Sequence, residues 1–149
     1  MKIAAFLILA GVCLMSGCTA VARLYPVQGP LSAQTPQPVF TGKINGFIKS
    51  GNVSFVIAGG ESFKGQWTRV ASPAVGDMQA AWDTVYGAGY YVAHVLGTGF
   101  YGRSKITGSL GTVLAVEFYQ INPAPERVHV IGVAKDSHGN IFKMAFPSN

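Results

Sequence analysis

The feature that most narrows the fold of this chain is alternation. Val53, Phe55 and Ile57 interleave with Asn52, Ser54 and Val56, and Leu114, Val116 and Phe118 recur in the same way within residues 112–121. Successive strand residues point to opposite faces, so a two-residue period describes strands with one face buried and one turned outward. Turn signals separate the runs: Gly59-Gly60-Glu61, Gly108-Ser109-Leu110-Gly111 and Asp136-Ser137-His138-Gly139-Asn140. The last of these joins residues 127–135 to 140–146, where Phe142, Met144 and Phe146 share a face; this is the clearest hairpin. Residues 103–108 add a strand, as do 41–49, where Ile44 and Ile48 stand four apart. Pro123 and Pro125 end the strand before them, because proline cannot donate to a ladder.

Register follows from the rule that paired residues share a face. Around Gly59, a two-residue loop would set Phe63 against Val56. A three-residue loop over 59–61 sets Ile57 against Phe63, Phe55 against Gly65 and Val53 against Trp67. That register keeps every large apolar group on one side and is the expected one.

One stretch breaks the period. Met78, Ala81, Trp82, Val85 and Tyr86 recur at helical spacing and predict a short helix over 77–86. Asp77 is placed to cap it or to favour its N-terminus, and Gly87 and Gly89 weaken it. Tyr90, Tyr91 and Val92 continue the helix or begin a strand. Gly97, Gly99 and Gly102 then surround Phe100 and Tyr101 in an aromatic loop. The predicted fold is mainly β: a small antiparallel barrel or sandwich of about seven strands with one short helix. Bulges and bends are the expected places for many of the 19 glycines. Only 11% of residues are charged and 49% are hydrophobic, the reverse of a disordered chain. Two cysteines are too few for a disulfide scaffold.

The N-terminus reads as an address. Lys2 supplies a positive charge. Residues 3–15 are apolar apart from Gly11 and are too short to span a bilayer, which takes roughly 20 residues. Leu14-Met15-Ser16-Gly17-Cys18 resembles a bacterial lipobox, with Met15 where leucine is usual. The resemblance implies cleavage before Cys18, a diacylglycerol on that cysteine and loss of Cys13 with the leader. Thr19 follows, where lipoproteins retained in the inner membrane commonly carry Asp, so the resemblance implies the outer membrane. The expected organisation is a signal peptide over 1–17, lipidated Cys18 with a proline-rich tether over 18–39, and one β-rich domain over 40–149. The tether is read from Pro26, Pro30, Pro36 and Pro38, since proline-rich polar segments are extended and semi-rigid. Within it, Arg23-Leu24-Tyr25-Pro26 is apolar enough to dock on the domain or to sit among the headgroups.

The chemistry-bearing residues do not form a motif. His94, His129 and His138 lack zinc-ligand spacing. Glu61 and Asp136 fall in turns, and Asp77 and Asp83 in the helix. Glu117 stands mid-strand on the face of Val113, Ala115 and Tyr119, where pairing with a surface lysine or arginine is expected. Residues 97–102 spell Gly-x-Gly-x-x-Gly without the strand–helix setting of a dinucleotide site. Trp67 and Trp82 are expected in the core. Tyr90, Tyr91, Phe100 and Tyr101 are the candidate binding residues, because Tyr and Trp serve as recognition anchors. The 11 basic residues against 6 acidic ones are scattered, unlike a nucleic-acid face.

The sequence expectation is therefore a lipid-anchored, non-enzymatic binding or structural module in the periplasm. Its expected partners are the membrane and an envelope protein or wall polymer, with no cofactor beyond the lipid, no metal and no nucleic acid. A wall-acting enzyme using Glu117 or Asp83 with a histidine, and a hydrolase inhibitor, are the alternatives.

Overall fold

Alternating strands with short turns have two ways to hide one face: pack two sheets together or close one sheet on itself. This chain does the second. In the computed structural model, which describes residues 19–47, 49–70, 76–97, 101–121 and 129–147, eight strands follow one another: β1 (Thr19–Gln28), β2 (Phe40–Phe47), β3 (Ser50–Ile57), β4 (Glu61–Arg69), β5 (Tyr101–Thr107), β6 (Val113–Ile121), β7 (His129–Asp136) and β8 (Ile141–Ala145). Each pairs antiparallel with the next, and β8 returns to pair with β1. Helix α1 (Gln79–Tyr86) and a π-helical turn (Tyr91–Val95) lie in the connection between β4 and β5. Asp77 is not the N-cap of α1: Met78 takes that position and makes no side-chain cap hydrogen bond.

The strand beyond the expected seven is β1, and it corrects the tether. Residues 19–28 are not a spacer. Ala22 and Leu24 are fully buried in the barrel, while Val21 faces out. Thr19 pairs with Asn45 and Leu24 with Met144. Pro26 sits where the β1–β8 register shifts, and a bulge is one of the few strand positions that tolerate proline. Residues 19–39 are therefore part of the barrel, as β1 and its connection to β2, rather than a tether outside it. The remaining prolines lie in the connection from β1 to β2. There a 3-10 turn (Pro30–Ala33) buries Leu31, and the Gln37 side chain donates to the Pro26 carbonyl.

The β3–β4 loop is three residues long but covers 58–60, and the register differs from expectation by two: Phe55 pairs with Phe63, Ile57 with Glu61 and Val53 with Gly65. Gly59 and Gly60 carry the positive φ of the reversal (73° and 77°), so the chain turns one residue earlier. A shift of two preserves the face, which is why the inward set was still read correctly.

The interior is filled. Leu24, Phe55, Phe63, Leu114, Phe142 and Met144 are at most 2% exposed. The Trp67 ring meets Phe118 edge-on at 5.3 Å, and its Nε1–H donates to the Asn45 carbonyl at 2.9 Å. Several glycines are in strands rather than bends, and packing explains them. A Cβ on Gly42 would strike the Phe55 ring, and one on Gly102 the Phe118 ring.

One barrel end holds the start of β1. The opposite end is closed by polar bonds. Asp136 accepts the N–H of His138 and of Asn140, both at 2.9 Å, and the Asn140 amide at 2.8 Å. Asn140 Oδ1 in turn accepts Leu31 N–H at 2.9 Å. Glu61 accepts the N–H of Leu110 and Thr112, at 3.0 and 3.1 Å, and so ties the β5–β6 turn to β4.

Candidate functional site

With the interior occupied by side chains, room for a ligand lies on the outside, and the outer wall of β5–β8 offers one such place. Register orders its outward residues in rows. Arg103, Glu117, Val133 and Lys143 lie side by side, and Lys105, Ala115, Lys135 and Ile141 form the next row toward the closed end. Helix α1 and the π-helical turn lie over part of this wall. They make a second core of Met78, Ala81, Trp82, Tyr91, Val95, Tyr119, Val133 and Ile141. The helical stripe read from the sequence is thus buried, but against the outside of the barrel.

Glu117 sits beneath this cover, 1% exposed. The expected arginine partner is present, since Arg103 Nη2 is 3.6 Å from Oε1, but the expected solvated face is not. On the covered side, Trp82 Nε1–H donates to Oε2 at 3.4 Å. Burial pushes the Glu117 carboxyl up to about 7, against the lowering pull of the Trp82 hydrogen bond.

An aromatic stack extends from Trp82. Its ring lies 5.6 Å from Tyr86 and 5.4 Å from Tyr119, and Tyr86 stacks on Tyr90 at 4.8 Å. The Tyr90 and Tyr119 hydroxyls share a 2.7 Å hydrogen bond, and the Tyr86 hydroxyl donates to the Gly132 carbonyl at 3.2 Å. Burial pushes the Tyr86 phenol up to about 12, helped by Tyr90. Burial likewise raises Tyr119 and Tyr91, so all three phenols remain protonated near neutrality.

Beside Glu117, where residues 76–78 lead into α1, the wall is uncovered and a groove of about 430 Å³ opens. Met78, Val113 and Ala115 supply apolar lining; Arg103, Lys105 and Lys135 supply positive charge. Asp77 and Asp136 also line it, though Asp136 is committed to the β7–β8 turn. The volume is within the range of small-molecule sites, about 300–1,000 Å³.

The candidate binding residues are not gathered into one exposed loop. Tyr91 is buried and Tyr90 half-buried, both within the second core. Tyr101 opens β5; its side chain, Phe100 and Cys18 lie outside the described residues. Gly102 of the glycine pattern is a strand residue beneath Phe118; residues 98–100 of that pattern are also outside the description. The His94 ring lies 4.7 Å from Tyr90. His138 is at the closed end, its Nδ1 3.5 Å from Thr112 Oγ1. His129 opens β7, with its side chain outside the description. Among the described residues no three of His, Cys, Asp and Glu come together as a metal site, and no helix is long and apolar enough to cross a membrane. The groove residues missed by sequence reasoning are Arg103, Lys105 and Lys135. Their signal was present in the hairpin registers, which put them on the outward face of Glu117 and Ala115.

Set against protein-family models, curated proteins and solved structures, the chain matches none of them.

Proposed function

We propose that this protein is a bacterial envelope lipoprotein, anchored through Cys18, whose barrel acts as a non-enzymatic binding module in the periplasm. The observation that carries the binding role is the groove beside Glu117: a concave site with charged groups of both signs around an apolar lining, on the outer wall of a barrel whose interior is full. The start of β1 at Thr19 bears on the anchor. Lipid on Cys18 would hold that barrel end at the headgroups with no spacer, leaving the closed end facing away.

The enzymatic alternative has weaker support. Asp83 Oδ1 accepts the Tyr91 N–H at 2.9 Å, and Glu117 is held between Trp82 and Arg103. Both carboxylates have structural work, and glycan hydrolysis asks for two that flank one bond.

Two measurements test the proposal on the full-length protein. Labelling with an alkyne fatty acid should mark the wild type and not Cys18→Ser, which should leave the membrane fraction; unchanged membrane association would remove the anchor. Detergent-solubilised protein should co-sediment with purified wall sacculi, and glycan cleavage by the same sample would replace the binding role with an enzymatic one.

A further inference from the structure

The groove is lined by the cations Arg103, Lys105 and Lys135 and by the carboxylates Asp77, Glu117 and Asp136. Lys105 and Lys135 both pair across the sheet with Ala115, one on each side. Two strand spacings of about 4.8 Å place their Cα atoms roughly 10 Å apart, with only a methyl group between them. Flexible four-carbon stems from that distance can converge over Ala115 on one bound group. Neither lysine forms an ion pair with a carboxylate among the described residues. Two of the three lining acids are held elsewhere, Glu117 by Arg103 and Trp82 and Asp136 by its own turn. Asp77 is at the groove on the α1 side.

Resting on the reading of this groove as the binding site, we infer that it takes a phosphate monoester, with Lys105 and Lys135 as its two counter-charges. A single carboxylate answers one ammonium, and a dicarboxylate such as succinate carries its two charges on separate groups, whereas a phosphate monoester near neutrality holds about −1.5 to −2 charge on one group where both ammoniums can converge. The apolar lining from Met78, Val113 and Ala115 accepts the carbon skeleton that carries the phosphate, and the volume of about 430 Å³ suits a group of monosaccharide size. The same chemistry occurs on a soluble sugar phosphate and on a phosphatidate headgroup, so the test separates them.

The experiment is calorimetric titration of the full-length protein in detergent with glucose 1-phosphate, inorganic phosphate and succinate, with flotation on phosphatidylcholine vesicles containing phosphatidic acid. Cys18→Ser protein is used for the vesicles, so that the anchor contributes nothing. Glucose 1-phosphate should bind more tightly than succinate, and Lys105→Ala or Lys135→Ala should each weaken it about tenfold or more. Lys43→Ala with Lys64→Ala, on the opposite wall, should leave it unchanged. Flotation without glucose 1-phosphate binding assigns the phosphate to lipid, and the reverse assigns it to a soluble ligand. Thermal melting checks that each variant folds. Equal affinity for succinate, binding indifferent to both groove lysines, or no binding of any phosphate probe overturns the inference. If sacculi are still retained in those cases, the binding-module reading survives without it; if sacculi are lost as well, both fail.

Discussion

The two faces of β5–β8 are built on opposite principles. The inner face buries Ile106, Leu114, Val116, Phe118, Ala134, Phe142 and Met144 in an apolar core. The outer face, under α1, also excludes water, but with a carboxylate, an indole N–H and linked phenols. Inside, stability comes from apolar area and close packing. Outside, each buried polar group must find a partner or destabilise the fold. The difference shows where function can reside. An eight-stranded barrel filled by side chains has no room for a ligand, while a helix lying over an outer wall leaves a groove at its edge.

Mutations separate the two faces. The largest effect should come from the interior: Phe63→Ala, at a fully buried position, should cost about 3–5 kcal/mol in a denaturant titration, since large-to-small core changes leave a cavity. A loss under about 1 kcal/mol would mean the barrel is not filled as described.

The next effect is a pH dependence belonging to the outer face. The folded Glu117 carboxyl keeps its proton up to about pH 7, while the unfolded one loses it near 4.5. Between those values the folded state binds more protons, so stability should fall as pH rises through the window, by up to about 3 kcal/mol. Glu117→Gln should flatten that slope and raise the melting temperature at pH 8. Glu61 works the other way. Burial disfavours its charge, but hydrogen bonds from Thr112 and from the Leu110 and Thr112 N–H groups outweigh this and hold its pKa below the usual value. Its contribution is present above pH 4.5 and is lost as pH falls further. Taken together, the two groups place their largest joint contribution near pH 4.5; a melting-temperature profile that rises steadily to pH 8 contradicts the Glu117 assignment, and one that keeps rising as pH falls below 4.5 contradicts that of Glu61.

Smaller effects sharpen the outer face. Trp82→Phe keeps an aromatic ring but removes the N–H that reaches Glu117, and should cost about 1–3 kcal/mol at pH 8. The loss should shrink at pH 5, where the carboxyl is neutral; equal losses at both values would point to packing alone. Tyr90→Phe deletes the bond to the Tyr119 hydroxyl and should cost about 1 kcal/mol, readable as a small shift of the denaturation midpoint.

Much of the fold was legible because strands and helix announce themselves by period. The inward sets of β3, β6 and β8 and the stripe from Met78 to Tyr86 were readable from spacing. β1 was not read, although Ala22 and Leu24 alternate with Val21 and Arg23: four prolines in and after it imitate a spacer, and its two partners, β2 and β8, are separated by nearly the whole chain. Glycines in mid-strand were misassigned for a related reason. Gly42 and Gly102 are there because rings from neighbouring strands lie against them, a demand that local sequence does not display. Glu117 stood out as a carboxylate in a strand, but its burial depended on a helix whose apolar face could equally have packed elsewhere.

By itself, then, the sequence determined the β class, the hairpins of the last third, the short helix and which side of each strand is apolar, because these depend on neighbours a few residues away. Only the tertiary structure decided that the sheet closes through β1, that α1 lies on the outside, and that Arg103, Lys105 and Lys135 share a groove. Those outcomes depend on which distant surfaces meet, and chain closure and helix docking are settled by packing between elements rather than within them.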